Sequence, residues 1–249
     1  MSKVGVGSFV WHELRTTDAQ GAADFYTRHS LQAVFGERSR YRGPHAALWG
    51  HARRRHETRL DWLYRRRDDV DAHASRVEQA AGKVHCPPQD IPTIGRFASG
   101  EDPQRAVFVL FKGSLDYAPP RPPIGSTGIV GWNELSANDG PSAWDFYSNV
   151  FGWTEDSVMD MGPLGSYLMF SVGSGSRMGG MMTRDPKMAP RPFWLYYFNI
   201  DDIDAAVARV RETSGQVLME PHQVPGGMWI ILGLDPQGAM FAVVGYRKN

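Results

Sequence analysis

A chain of 249 residues with 27 basic and 27 acidic side chains is long enough for two domains of ordinary size. It carries no net charge that would draw a nucleic acid or an anionic membrane, so a small molecule or another protein remains as the partner. The single cysteine, Cys86, excludes an internal disulfide. No stretch approaches the roughly 20 apolar residues that span a bilayer and no apolar run follows Met1, so a cytoplasmic monomer or homodimer is expected.

From the N-terminus, Val4 to Leu14 alternates and is rich in Val, Phe and Trp, as a strand is. Asp18 stands where a helix N-cap belongs, and Ala22, Ala23, Phe25 and Tyr26 carry an apolar face toward Leu31. Strands are expected from Val34 to Arg40 and from His45 to Trp49, divided by the turn signal Gly43-Pro44. The basic run from His51 to His56 reads as a solvated loop or strand end before it reads as an anion site.

Leu60 to Tyr64 is a further strand, and Asp68-Asp69-Val70-Asp71-Ala72 opens a helix that buries Val70, Ala74 and Val77 and closes at Gly82. Strands begin at Val84 and Ile94, and the turn Asp102-Pro103-Gln104 leads into the apolar run from Ala106 to Phe111. Prolines then make residues 113–126 a semi-rigid linker. Beyond it a strand from Gly128 to Leu135 and a helix from Pro141 to Val150 are expected. Strands follow from Thr154 to Asp160, Ser166 to Val172 and Met178 to Met182, and a helix opens at Asp201-Asp202-Ile203.

The order is a duplication, and repetition constrains a fold more than any local propensity. Trp11-His12-Glu13-Leu14, Asp18 and Phe25-Tyr26 return as Trp132-Asn133-Glu134-Leu135, Asp139 and Phe146-Tyr147, each displaced by 121 positions. Asp68-Asp69-Val70-Asp71-Ala72 returns as Asp201-Asp202-Ile203-Asp204-Ala205, and Asp102-Pro103-Gln104 as Asp235-Pro236-Gln237, each displaced by 133. The first copy is thus 12 residues shorter, and the loss lies between Trp49 and Arg59. Each copy consists of two strand-helix-strand-strand-strand units.

With its early Trp-x-Glu-Leu…Asp…Phe-Tyr, middle Asp-Asp-[Val/Ile]-Asp-Ala and late Asp-Pro-Gln motifs, the chain resembles the vicinal oxygen chelate superfamily. Within it, the tandem glyoxalase, bleomycin resistance and dioxygenase branch is the most similar. The resemblance covers nearly the whole chain, apart from the linker and the middle of the first copy. It implies an α+β fold of two tandem glyoxalase-like modules, residues 1–112 and 127–249 around the 113–126 linker. In each module two βαβββ units would form curved mixed sheets around a pocket.

In metal-dependent members the resemblance implies His, Glu or Gln ligands at four inward positions. Here those positions fall on Trp11 and Trp132, on Asp61 and Trp194, on Val109 and Ala242, and near Gly179 to Met181, so no metal and no cofactor is expected. Strand alternation groups Trp11 with Glu13 and Arg15, and Trp132 with Glu134 and Ser136, with His12 on the opposite face. It likewise groups Asp61 with Arg65, and Trp194 with Tyr196 and Phe198.

Trp11, Asp61, Arg65, Trp132, Trp194, Tyr196 and Phe198 are therefore candidate ligand-binding residues, although any single ring would equally serve to fill a sheet. Glu13 and Glu134 are the candidate catalytic carboxylates. The expected function is the binding or sequestration of a small aromatic or carbonyl-containing metabolite. A metal-independent lyase or isomerase using Glu13 or Glu134 as base is the alternative, and a metal-dependent glyoxalase or dioxygenase a second one. Cys86 has no partner motif for a nucleophile, and Met178, Met181 and Met182 read as core or as a pliable wall.

Overall fold

The computed structural model describes residues 8–28, 59–65, 69–114, 125–172, 176–187 and 190–248. The strands expected between Val34 and Trp49, the basic run from His51 to His56 and the linker between residues 115 and 124 lie outside them. Strand β1 (Ser8–Arg15) and helix α1 (Ala19–Arg28) open the chain. The second repeat comprises β2 (Arg59–Arg65), α2 (Val70–Gln79), β3 (Lys83–Ile91), β4 (Gly95–Glu101) and β5 (Val107–Gly113). The third has β6 (Val130–Ala137), α3 (Gly140–Phe151), β7 (Thr154–Asp160), β8 (Ser166–Val172) and β9 (Ser176–Thr183). The fourth has β10 (Phe193–Ile200), α4 (Ile203–Glu212), β11 (Gln216–Gln223), β12 (Trp229–Leu234) and β13 (Met240–Gly245).

These repeats share one topology. The strands lie in the order β2-β5-β4-β3, β6-β9-β8-β7 and β10-β13-β12-β11, so the last strand always returns beside the first. That pairing is parallel each time, and the intervening helix and hairpin supply the long connection a parallel pair requires. Within these three repeats the other neighbouring strands pair antiparallel. The fold is α+β with mixed sheets built from βαβββ repeats.

The chain packs as two compact units. One contains Met1–Trp11, Asp61–Pro120 and Trp132–Leu195; the other contains His12–Leu60, Arg121–Gly131 and Tyr196–Asn249. Each unit draws on both sequence copies: the second repeat packs with the third, and the first with the fourth. Among the described residues no helix is long and apolar enough to cross a membrane.

Acidic N-caps explain the repeated aspartates. Asp18 accepts the Gly21 N–H at 3.0 Å, Asp69 that of Asp71 at 3.0 Å, Asp139 that of Ser142 at 2.9 Å, and Asp202 those of Asp204 and Ala205. Each satisfies an amide that the first helical turn leaves without a partner.

The end of α2 corrects the expectation at Gly82. Ala80 is the C-cap, Ala81 takes the left-handed conformation with φ 62°, and Gly82 donates to the Val77 carbonyl at 2.8 Å. Helix α4 ends identically, with Ser214 at φ 64° and Gly215 donating to Val210 at 2.9 Å. Glycine is needed at 82 for space, since a Cβ there would lie closer than 3.0 Å to Glu101 O and Val77 Cγ1.

In the first unit, α3 buries Ala143, Phe146, Tyr147, Val150 and Phe151, the spacing of one helical stripe. Above Tyr147 lies Trp153, stacked on Phe170 at 4.3 Å with 3° between the rings, and Phe9 and Trp194 close the cluster. The Asp-Pro-Gln turn of the second repeat docks on this helix. Gln104 brackets Asp139, donating to its carbonyl at 2.8 Å and accepting its N–H at 2.8 Å.

Candidate functional site

Strand β6 divides its side chains between two environments. Asn133, Leu135 and Ala137 are buried, with Asn133 donating to the Met178 carbonyl at 2.8 Å, whereas Trp132, Glu134 and Ser136 on the other face are half-buried. The β6–β9 register sets Glu134 beside Gly180 and Ser136 beside Met182. The β8–β9 register sets Tyr167 beside Met182 and Met169 beside Gly180. Paired residues share a face of the sheet, so Tyr167 belongs with Trp132 and Glu134 although β9 separates their strands.

The three side chains form a hydrogen-bonded row. Trp132 Nε1 donates to Tyr167 Oη at 2.7 Å, and Tyr167 Oη donates to Glu134 Oε2 at 2.8 Å. Tyr167 is 8% exposed. Burial above all, and then the nearby Glu134 carboxylate, raises its pKa well above the ordinary tyrosine value, so the phenol is neutral. Its ring crosses β9 over Gly180, where a Cβ would lie closer than 3.0 Å to the Tyr167 Cε1, Cζ and Oη atoms.

Trp132 and Glu134 thus come together as the alternation of β6 requires, joined by a tyrosine that sequence reasoning missed. One signal pointed toward it: the Gly179-Gly180 pair within β9, since glycine inside a strand marks close approach.

The other candidates lie elsewhere. Trp194 is 5% exposed and belongs to the aromatic core, its Nε1 donating to Tyr147 Oη at 3.2 Å and its ring edge-on to Tyr147 and Trp153. In the second unit Tyr196 is fully buried with the His12 ring edge-on at 4.6 Å, and Phe198 is fully buried. Trp11, Glu13, Asp61 and Arg65 lie outside the residues whose side chains are described. Burial raises the Cys86 thiol pKa, the reverse of what an activated thiolate needs. Met181 is core, while Met178 and Met182 are half-buried.

Over its whole length the chain is 30% identical to the anthracycline biosynthesis protein DnrV of Streptomyces peucetius, of which the match covers 97%. The family model of the glyoxalase/bleomycin resistance protein/dioxygenase superfamily matches residues 129–243. The chain belongs to this superfamily. DauV of Streptomyces sp. strain C5, also an anthracycline biosynthesis protein, is 30% identical over 100% of this chain and 96% of its own. CFP32 of Mycobacterium tuberculosis is 35% identical over 71% of this chain and 66% of that protein.

Two solved structures of superfamily-like fold show the architecture at low identity. The Mn(II)-bound glyoxalase from Novosphingobium aromaticivorans matches with TM-score 0.63 and 13% identity, over 98% of this chain and 83% of that one. The 2,2',3-trihydroxybiphenyl 1,2-dioxygenase from Sphingomonas wittichii matches with TM-score 0.65 and 14% identity, over 96% and 90%.

Among the described residues no group of three or more His, Cys, Asp or Glu side chains converges. On β6 the indole N–H of Trp132 can donate but cannot ligate, Val109 on β5 is buried hydrocarbon, and the Glu134 carboxylate accepts from Tyr167.

Proposed function

We propose that the protein binds a small aromatic or carbonyl-containing metabolite on the Trp132–Tyr167–Glu134 face, and holds or sequesters it without the usual metal ligands. The observation that carries this reading is the hydrogen-bonded row on a half-buried strand face. An indole offers a ring to stack on and an N–H to orient a ligand, and a carboxylate offers an acceptor. Two full-length relatives are named for anthracycline biosynthesis, and anthracyclines are fused-ring aromatics.

A second reading is a metal-independent lyase or isomerase in which Glu134 is the general base. The 2.8 Å contact from Tyr167 Oη to Glu134 Oε2 favours it, because a proton already lies between two groups of the site.

Calorimetric titration of the protein with hydroxylated bicyclic aromatics and small carbonyl compounds, beside Trp132→Ala, tests the binding reading. Saturable binding lost on removal of the indole supports it, and binding that survives Trp132→Ala contradicts it. Chromatography of the same mixtures decides the second reading. A product that disappears with Glu134→Gln makes Glu134 a base, and a ligand recovered unchanged leaves binding alone.

A further inference from the structure

In the Trp132–Tyr167–Glu134 row both outer groups converge on one oxygen. Tyr167 Oη lies 2.7 Å from Trp132 Nε1 and 2.8 Å from Glu134 Oε2. An indole N–H only donates and a carboxylate only accepts, so the group between them must accept once and donate once. A carbonyl oxygen would leave Glu134 facing lone pairs, and an ammonium would leave the indole N–H without an acceptor. A neutral hydroxyl satisfies both partners.

We infer that Trp132 and Glu134 form a hydroxyl-binding subsite for a phenolic or enolic ligand, which the phenol of Tyr167 fills from within, so that this tyrosine competes with the ligand. The inference rests on the ligand-binding reading of this face and supplies its ligand class. Tyr167 reaches the subsite from β8, two strands away from β6. It does so by lying across β9 at Gly180, where only a missing Cβ makes room for the ring. Trp132 and Glu134 are half-buried rather than sealed, which leaves them open to approach. A ligand phenol taking the place of the Tyr167 phenol restores the hydrogen bonds of both Trp132 and Glu134, while the displaced Tyr167 hydroxyl gives up its own, which is the cost its removal relieves.

The test compares 2-naphthol with 2-methoxynaphthalene, which differ in the hydroxyl proton, by calorimetry on the wild-type protein, Tyr167→Ala and Gly180→Ala. Tyr167→Ala vacates the subsite; Gly180→Ala keeps the tyrosine but places a methyl group where its ring lies. Both variants are expected to bind 2-naphthol about tenfold more tightly than wild type and to prefer it over the methyl ether by about tenfold, one hydrogen bond's worth. Trp132→Phe in the Tyr167→Ala background should abolish that preference.

Equal gains for both probes, or weaker 2-naphthol binding in both variants, overturn the inference while the binding reading stands, because Tyr167 would then be wall or ligand contact. Absence of binding by every protein, or binding indifferent to Trp132, overturns both together.

Discussion

The hydroxyl of Tyr147 donates to the buried carboxylate of Asp102 at 3.2 Å and accepts the indole N–H of Trp194 at 3.2 Å. The second unit repeats the first of these bonds, Tyr26 donating to Asp235 at 3.1 Å. In each unit the aspartate also accepts two backbone N–H groups of its own turn, those of Gln104 and Ala106 in one case and of Gln237 and Ala239 in the other. The Phe-Tyr and Asp-Pro-Gln motifs thus recur because each tyrosine binds the aspartate contributed by the other sequence copy.

Tyr147→Phe removes one acceptor bond and one donor bond from this chain while leaving the ring. It should lower unfolding free energy by about 1–3 kcal/mol, the cost of leaving buried polar groups unsatisfied. Denaturant unfolding of the variant measures it, and a wild-type midpoint would show that the hydroxyl contributes nothing.

Asp102 is 2% exposed, and burial outweighs its three hydrogen bonds, raising its pKa from 3.8 to about 6. The folded state therefore holds a proton that the unfolded state has released between roughly pH 4 and 6, and this group's contribution to stability falls as pH rises through that window. The loss by pH 7 is on the order of 3 kcal/mol. Asp102→Asn, which cannot ionise, should flatten this part of the stability profile. Unfolding of both proteins at pH 5 and pH 7.5 reads the difference, and parallel profiles would locate the pH dependence elsewhere.

Trp194→Phe separates core from ligand wall. The variant keeps an aromatic ring in the cluster but loses the N–H that Tyr147 accepts, so stability should fall by about 1 kcal/mol with ligand affinity unchanged. A large loss of affinity in calorimetry would return Trp194 to the binding surface.

Glu134→Gln removes the charge that helps to hold the Tyr167 proton. The phenol's pKa should fall, yet burial, the larger cause, should keep it above 10. The difference in absorbance at alkaline pH between Glu134→Gln and the same protein with Tyr167→Phe isolates this tyrosine. An unchanged ionisation would mean that the carboxylate exerts no field there.

Much of the fold was legible because it is written repeatedly. The strands Thr154–Asp160 and Ser166–Val172 coincide with the sequence reading, and the acidic caps at Asp18, Asp69, Asp139 and Asp202 mark the starts of the four α-helices among the described residues. The end of α2 was misplaced because the left-handed position falls on Ala81, with glycine one residue later for reasons of space.

At the site, period-two alternation brought Trp132 and Glu134 to one face, but it could not separate Trp194 in the core from Trp132 at the half-buried edge. On β10 the residues from Trp194 to Phe198 are all buried, so alternation carries no information about which face is open. Tyr167 was missed because its role depends on the register of three strands and on the absence of a side chain at Gly180.

The most direct measurement is the indole N–H resonance of Trp132 in a ¹⁵N-labelled sample titrated with 2-naphthol, assigned by its loss in Trp132→Phe. If the ligand engages the hydrogen-bonded row, this resonance should move saturably while those of Trp153 and Trp194, packed in the core, stay in place. A Trp132 resonance that holds its position at saturating 2-naphthol would contradict ligand binding at this face.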